Sequence, residues 1–178
     1  MKKIFIITGR TGAGKSTLCN QLQEYFKYPL LSFAIMGKKF ANANGYNRIR
    51  ECYLAMELKE FKTKILQYIL NVIKEELSEC DAIIMDGIYI DDVVKKLKED
   101  YICKLIYLKT DDDTRFKRIS DRLSITIEQA KKENEIKKQL KNEVGINELI
   151  ELADYVIDGN QSKEKIFKNT KQFISNMR

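Results

Sequence analysis

Ile4-Phe5-Ile6-Ile7-Thr8-Gly9-Arg10-Thr11-Gly12-Ala13-Gly14-Lys15-Ser16-Thr17 is the stretch on which the reading of the whole chain turns. Its first four residues form a short apolar run rich in β-branched side chains, ended by Thr8-Gly9, the pattern of a strand buried on both faces. Gly9 to Ser16 then fits G-x-x-x-x-G-K-[ST] at every fixed position, and the helical run Leu18 to Phe26 follows. Glycines at 9, 12 and 14 let the backbone wrap a phosphate without Cβ clashes, so that successive N–H groups and a helix N-terminus point at the anion. Gly9, Arg10, Thr11, Gly12, Ala13, Gly14, Lys15, Ser16 and Thr17 are therefore the expected cradle for ATP. Lys15 would reach the β- and γ-phosphates, and the Ser16 hydroxyl would coordinate Mg²⁺.

Working outward, four further strand candidates follow: Leu30 to Phe33, Ala82 to Met85, Ile102 to Leu108 and Tyr155 to Ile157, each separated from the next by helical pattern. This alternation predicts a doubly wound α/β domain with a five-stranded parallel sheet. Leu54, Leu58, Phe61, Ile65, Ile69, Val72, Ile73 and Leu77 recur at helical spacing and predict one long amphipathic helix. From Thr126 to Val144 the pattern turns polar, with apolar residues only at Ile127, Ala130, Ile136, Leu140 and Val144 and a capping box of Thr126 with Gln129. A helix with so little to bury should stand out from the body.

Two further groups carry chemistry. Ala82-Ile83-Ile84-Met85-Asp86 is an apolar strand ending in a carboxylate, placing Asp86 where it would hold Mg²⁺ with Ser16. Arg115, Arg118 and Arg122 lie at i, i+3 and i+7, on one helical face just before the polar segment. Three guanidiniums aimed together need an anion between them, and a transferring phosphoryl group is such an anion. The competing reading of that face is a solvated one paired with Asp111, Asp112, Asp113 and Asp121.

Composition narrows the classes. A length of 178 residues with 44% hydrophobic content fits one domain spanning 1–178, able to bury roughly two-thirds of its unfolded surface. The absence of histidine excludes imidazole-dependent triads and most catalytic zinc sites. Cys19, Cys52, Cys80 and Cys103 are widely spaced with no C-x-x-C pair, which fits reduced thiols and a cytoplasmic protein. The apolar run near the amino end is too short for a signal-peptide core, and no run approaches the length of a membrane span. The net charge of +6 suits phosphate handling, while nucleic-acid binding has only that charge behind it, without an aromatic-interleaved patch.

The whole pattern resembles the nucleoside monophosphate kinase group of P-loop proteins, adenylate kinase-like and dephospho-CoA kinase-like, over nearly the full chain. The loop form G-x-x-G-x-G-K-S-T is typical of these small kinases. Leu31-Ser32-Phe33-Ala34-Ile35-Met36-Gly37-Lys38 resembles their acceptor-binding segment, and Asp86-Gly87 their D-G-x-P-R strand end. Arg118 and Arg122, followed by Leu123-Ser124, are similar to the R-x-x-x-R entry to the lid of dephospho-CoA kinases. Ala153-Asp154-Tyr155-Val156-Ile157-Asp158 is similar to the strand that leads to their adenine-side loop, here beginning at Gly159. The resemblance implies a three-layer P-loop NTPase fold with a helical lid at about 118–144 and an acceptor-binding segment at about 32–60. It implies catalytic roles for Lys15, Arg118 and Arg122, which Arg115 joins through the shared helical face, with nucleotide contact at Gly159 and acceptor contacts from Ser32 and Asp86.

The sequence also departs from that group. Lys38 stands where arginine is usual, Ile35 replaces an acidic residue, and Tyr89-Ile90 stand in place of the Pro-Arg pair that binds the acceptor phosphate. Lys38, Arg48 and Arg50 are the cations that could supply the missing contacts. Because Ser32 to Met36 has no carboxylate to activate a hydroxyl, the expected acceptor is a small molecule that already carries a phosphate. The alternatives are a dephospho-CoA kinase-like enzyme acting on a ribose hydroxyl, and a nucleotide-dependent switch or ATPase with no small-molecule acceptor.

Overall fold

The computed structural model describes residues 2–177. Within the polar helix the side chains of Ile136 and Lys137 lie outside the described set, and with them the expected apolar position at 136. Five strands, β1 (Lys3–Thr8), β2 (Leu30–Ser32), β3 (Ala82–Asp86), β4 (Ile102–Lys109) and β5 (Tyr155–Asp158), form one sheet in the order β2-β3-β1-β4-β5. Every strand pairing in it is parallel. The helices are α1 (Lys15–Phe26), α2 (Phe33–Ala43), α3 (Ile49–Ala55), α4 (Leu58–Glu79), α5 (Asp91–Asp100), α6 (Asp112–Leu123), α7 (Ile127–Glu143) and α8 (Lys163–Ser175).

The first strand shows why the sheet is continuous apolar sequence. Side chains alternate across a strand, so Ile4 and Ile6 enter one core while Phe5 and Ile7 enter the other. The first core lies under α2, α4 and α5, with Phe61, Ile65, Ile69 and Ile73 fully buried against Ile83 and Met85. The second lies under α1 and α8, where Leu18, Leu22 and Phe26 meet Ile166 and Ile174. Each such side chain contributes about 1.5–3 kcal/mol on burial, and β1, like β3 and β4 beside it, supplies both layers. Strand order reverses direction around β1, and in open α/β sheets ligands sit beyond the carboxyl ends of the strands at that switch.

Three expectations are corrected. Phe33 begins α2 instead of ending β2. The single long helix is two, because Met56 and Glu57 take extended backbone (φ −118°, ψ 154° and φ −64°, ψ 144°). The break turns α3 back onto α2, where Ile49 packs over Gly37 and Cys52 is fully buried; Leu54, one of the stripe residues, is left 67% exposed. The polar helix α7 has its capping box but does not stand out from the body. Ala130 packs with Phe116 and Ile119 at one end, and Leu140 and Val144 enter the first core at the other. Few apolar residues suffice because they fall at the two ends, where each meets a neighbouring element. Among the described residues no helix is long and apolar enough to cross a membrane.

Candidate active site

The phosphate loop leaves β1 at the switch point. Register pairs Ile7 with Asp86, so the carboxylate at the end of β3 stands beside the start of the loop. Gly87 N–H donates to Ile7 O at 2.9 Å and Thr8 Oγ1 donates to Ile88 O, tying the two strand ends together. Gly9 has φ +140°, and a Cβ there would lie 2.5 Å from Leu108 O; at Gly12, φ +84°, it would lie 2.7 Å from Arg115 O. Both positions require glycine on grounds of space as well as conformation. A cavity of about 410 Å³ opens over the loop from Thr11 to Thr17. Arg118 and Arg122 form part of its wall, and Leu18, Gln21, Leu108, Lys163 and Ile166 line it away from the loop.

Inside the loop, Lys15 Nζ donates to Arg10 O at 3.0 Å, holding the ammonium over the cradle. Burial lowers the Lys15 pKa, and the nearby Asp86 carboxylate opposes that shift. Ser16 Oγ donates to Asp86 Oδ2 at 2.6 Å, so a hydroxyl and a carboxylate converge at the first turn of α1. Among the described residues no group of three or more His, Cys, Asp or Glu side chains could hold a metal by itself. The donor set of Ser16 and Asp86 fits a Mg²⁺ that takes its remaining oxygens from nucleotide phosphates and water, the usual habit of that ion. Cys19 lies buried beneath the loop, and burial pushes its thiol well up, leaving it an inert packing group.

The three arginines divide the labour differently from the sequence expectation. Arg115 is 1% exposed, donates to Thr11 O at 2.7 Å and to Asp112 Oδ1 at 2.6 Å, and does not line the cavity. The structure thus places it behind the loop, bonded to the loop backbone, and not in the cavity wall where the sequence expectation put it. Arg118 donates to Ala13 O at 3.1 Å and to Gly159 O at 3.0 Å, linking the loop to the turn after β5 while facing the cavity. Arg122, exposed at the cavity wall, comes last. The i, i+3, i+7 spacing gives a common face, but α6 climbs past the loop, so its first arginine is beneath the cradle and its last is at the rim.

Gly159 is buried, its N–H donates to Lys109 O at 2.7 Å, and a Cβ would collide with Thr110 Oγ1; it does not line the cavity itself but holds Arg118, which does, through its carbonyl. Ser32 pairs in register with Asp86 at the edge of the sheet. Lys38, Arg48 and Arg50 are exposed on α2 and around the start of α3, and none of them lines the cavity. Gln21 and Lys163 do line it and were not singled out in the sequence. The signal was there: Gln21 follows Thr17 by one helical turn, and Lys163 is the first residue of α8 after the Ser162 cap, whose side chain accepts from Lys165 N–H.

Comparison with known proteins gives a consistent picture. The family described as an AAA domain matches residues 5–142. The dephospho-CoA kinase of Listeria monocytogenes is 24% identical over 98% of this chain and 96% of its own length. Among solved structures, protein TT1252 from Thermus thermophilus has a TM-score of 0.69 at 16% identity, covering 99% of this chain and 98% of that one. Shikimate kinase from Acinetobacter baumannii, in complex with shikimate, has a TM-score of 0.59 at 19% identity, covering 100% and 95%. The structural likenesses establish the fold.

Proposed function

We propose a specific reaction for a chain that belongs to the AAA domain family and to the small P-loop kinases: transfer of the γ-phosphoryl group of ATP to an acceptor that itself carries a phosphate. The observation that carries this reading is the cavity over the loop, which gathers Lys15, Ser16, Arg118 and Arg122 while the acceptor-side segment Ser32 to Met36 holds no carboxylate. The loop N–H groups and the helix α1 N-terminus would hold the β-phosphate, and Lys15 would leave the Arg10 carbonyl to bridge the β- and γ-phosphates. Bound at Ser16 and Asp86, Mg²⁺ would neutralise charge on the transferring group. Arg118 and Arg122 would stabilise the charge that develops on the equatorial oxygens. A phosphate oxyanion is already nucleophilic at neutral pH, so positioning and neutralisation are enough. The segment at about 118–144 would act as a lid over the nucleotide and that at about 32–60 would hold the acceptor.

A second reading, a hydroxyl acceptor, is favoured by the near full-length similarity to relatives named dephospho-CoA kinase. It needs a base, and the carboxylate best placed is Asp86, whose Oδ2 already accepts from Ser16. The test is an assay of ATP with ribo- and deoxyribonucleoside monophosphates beside dephospho-CoA, shikimate and free nucleosides. Transfer to a monophosphate supports the phosphate-acceptor reading; transfer confined to the hydroxyl compounds replaces it with the second.

A further inference from the structure

We infer that α7 and the tip of the phosphate loop build a separate oxyanion subsite, which takes the acceptor's own phosphate. Resting on the phosphate-acceptor reading, the inference gives that phosphate a place away from Lys38, Arg48 and Arg50. Asn134, Lys138, Lys141 and Asn142 lie at i, i+4, i+7 and i+8, one face of α7. Each is only partly exposed, so this polar face is turned inward, and with Arg10 and Thr11 it lines a recess on the outer side of the loop. The recess is shallow and open, with a cavity volume of about 20 Å³, so an oxyanion seated there would keep part of its surface in solvent. Thr11 lines both this recess and the nucleotide cavity, so the two sites share a wall.

The residues that line the recess give it its chemistry. Arg10, Lys138 and Lys141 all line it, and Arg10 is held there by an uncharged partner, its Nη2 donating to Asn147 Oδ1 at 3.2 Å. The carboxylate that feels both Arg10 and Lys138 is Asp112, and it is already bonded to Arg115. Glu135 pairs with Lys138 at 3.1 Å on the exposed side of the helix. Asn142 Oδ1 is buried and makes no hydrogen bond; swapping its amide would present an N–H to an anion instead. Lys141 is tied to both halves of the reaction site: its Nζ donates to Thr11 Oγ1 at 2.9 Å and lies 5.2 Å from the Tyr89 ring centroid, and Tyr89 in turn packs edge-on against Phe33 at the start of α2. A molecule reaching from the acceptor segment toward the γ-phosphate therefore passes Lys141. Arg10, Lys138 and Lys141 set three cations around one recess, and such a cluster is stabilised by an anion.

Inorganic phosphate is the probe, titrated calorimetrically into protein saturated with Mg²⁺ and a non-transferable ATP analogue so that the γ-position is filled. Saturable phosphate binding is expected, weakened at least tenfold in Lys138→Met/Lys141→Met and kept within threefold in Lys141→Arg, each measured at an analogue concentration that saturates the variant in question. Lys138→Met alone, a change at a partly exposed site, should show part of the loss and keeps the test valid if the double variant folds poorly. Absence of saturable binding, equal binding by the lysine variants, or loss caused instead by Lys38→Met/Arg50→Met would overturn the subsite. Failure of the analogue itself to bind would overturn the kinase reading on which the subsite rests, and is read separately in the same titration.

Discussion

The cradle formed by β1, the loop and α1 contrasts with the α6–α7 arm that leans over it. In the cradle the motif residues carry the constraints themselves: three glycines take positive φ and Lys15 bonds its own loop carbonyl, while Ser16 reaches across 70 residues to the Asp86 carboxylate on the strand beside β1. In the arm the decisive contacts are long-range, such as Arg115 on Thr11 O and Lys141 on Thr11 Oγ1, 104 and 130 residues apart in sequence. The difference teaches that one region can be read as a motif, whereas the other acquires its meaning only when the fold brings it to the loop.

The contrast predicts separable failures. Lys15→Ala should lower turnover by two to three orders of magnitude, about 3–4 kcal/mol of transition-state stabilisation, with the fold intact; a coupled assay beside a thermal melt checks both. Turnover retained near the wild-type level would break the contrast on the cradle side. Arg115→Ala should act the other way, costing about 3 kcal/mol of stability, because it removes a fully buried side chain and leaves Thr11 O without its donor. Denaturant unfolding measures it. Arg122→Ala, changing an exposed residue at the cavity wall, should reduce turnover at least tenfold and leave unfolding within about 0.5 kcal/mol. If Arg115→Ala and Arg122→Ala proved alike in both measurements, the division between supporting and active-site arginines would fall.

The smallest expected effect lies away from the site. Asp154 is partly buried, which pushes its pKa up, but hydrogen bonds from Lys98, from Leu105 N–H and from Lys104 outweigh this and hold it below 3.8. A carboxylate whose folded pKa is depressed contributes stability above its unfolded pKa and loses it as pH falls through the folded value. Asp154→Asn should cost about 1–2 kcal/mol at pH 7 and progressively less on acidification below about pH 4, seen as converging unfolding curves.

Much of this was legible in the residues. All five strands and their parallel arrangement follow from apolar runs and their spacing, because a strand buried on both faces leaves a plain signature. The break between α3 and α4 was not legible: neither Met56 nor Glu57 is a breaker, and the turn is imposed by packing of Ile49 over Gly37 and of Tyr53 near Phe61. The charges of α7 suggested solvent on every side, yet the fold turns its Asn134-Lys138-Lys141-Asn142 face toward the loop. Periodicity tells which residues share a face, and only tertiary contact tells what that face meets.

The most direct measurement is the fate of the γ-phosphoryl group. With γ-labelled ATP, Mg²⁺ and the acceptor panel, the label should appear in a phosphorylated monophosphate, in proportion to the ADP formed, and disappear from that product in Lys15→Ala. Label found only as inorganic phosphate, at a rate no acceptor changes, would contradict phosphoryl transfer and make the protein a nucleotide hydrolase or switch.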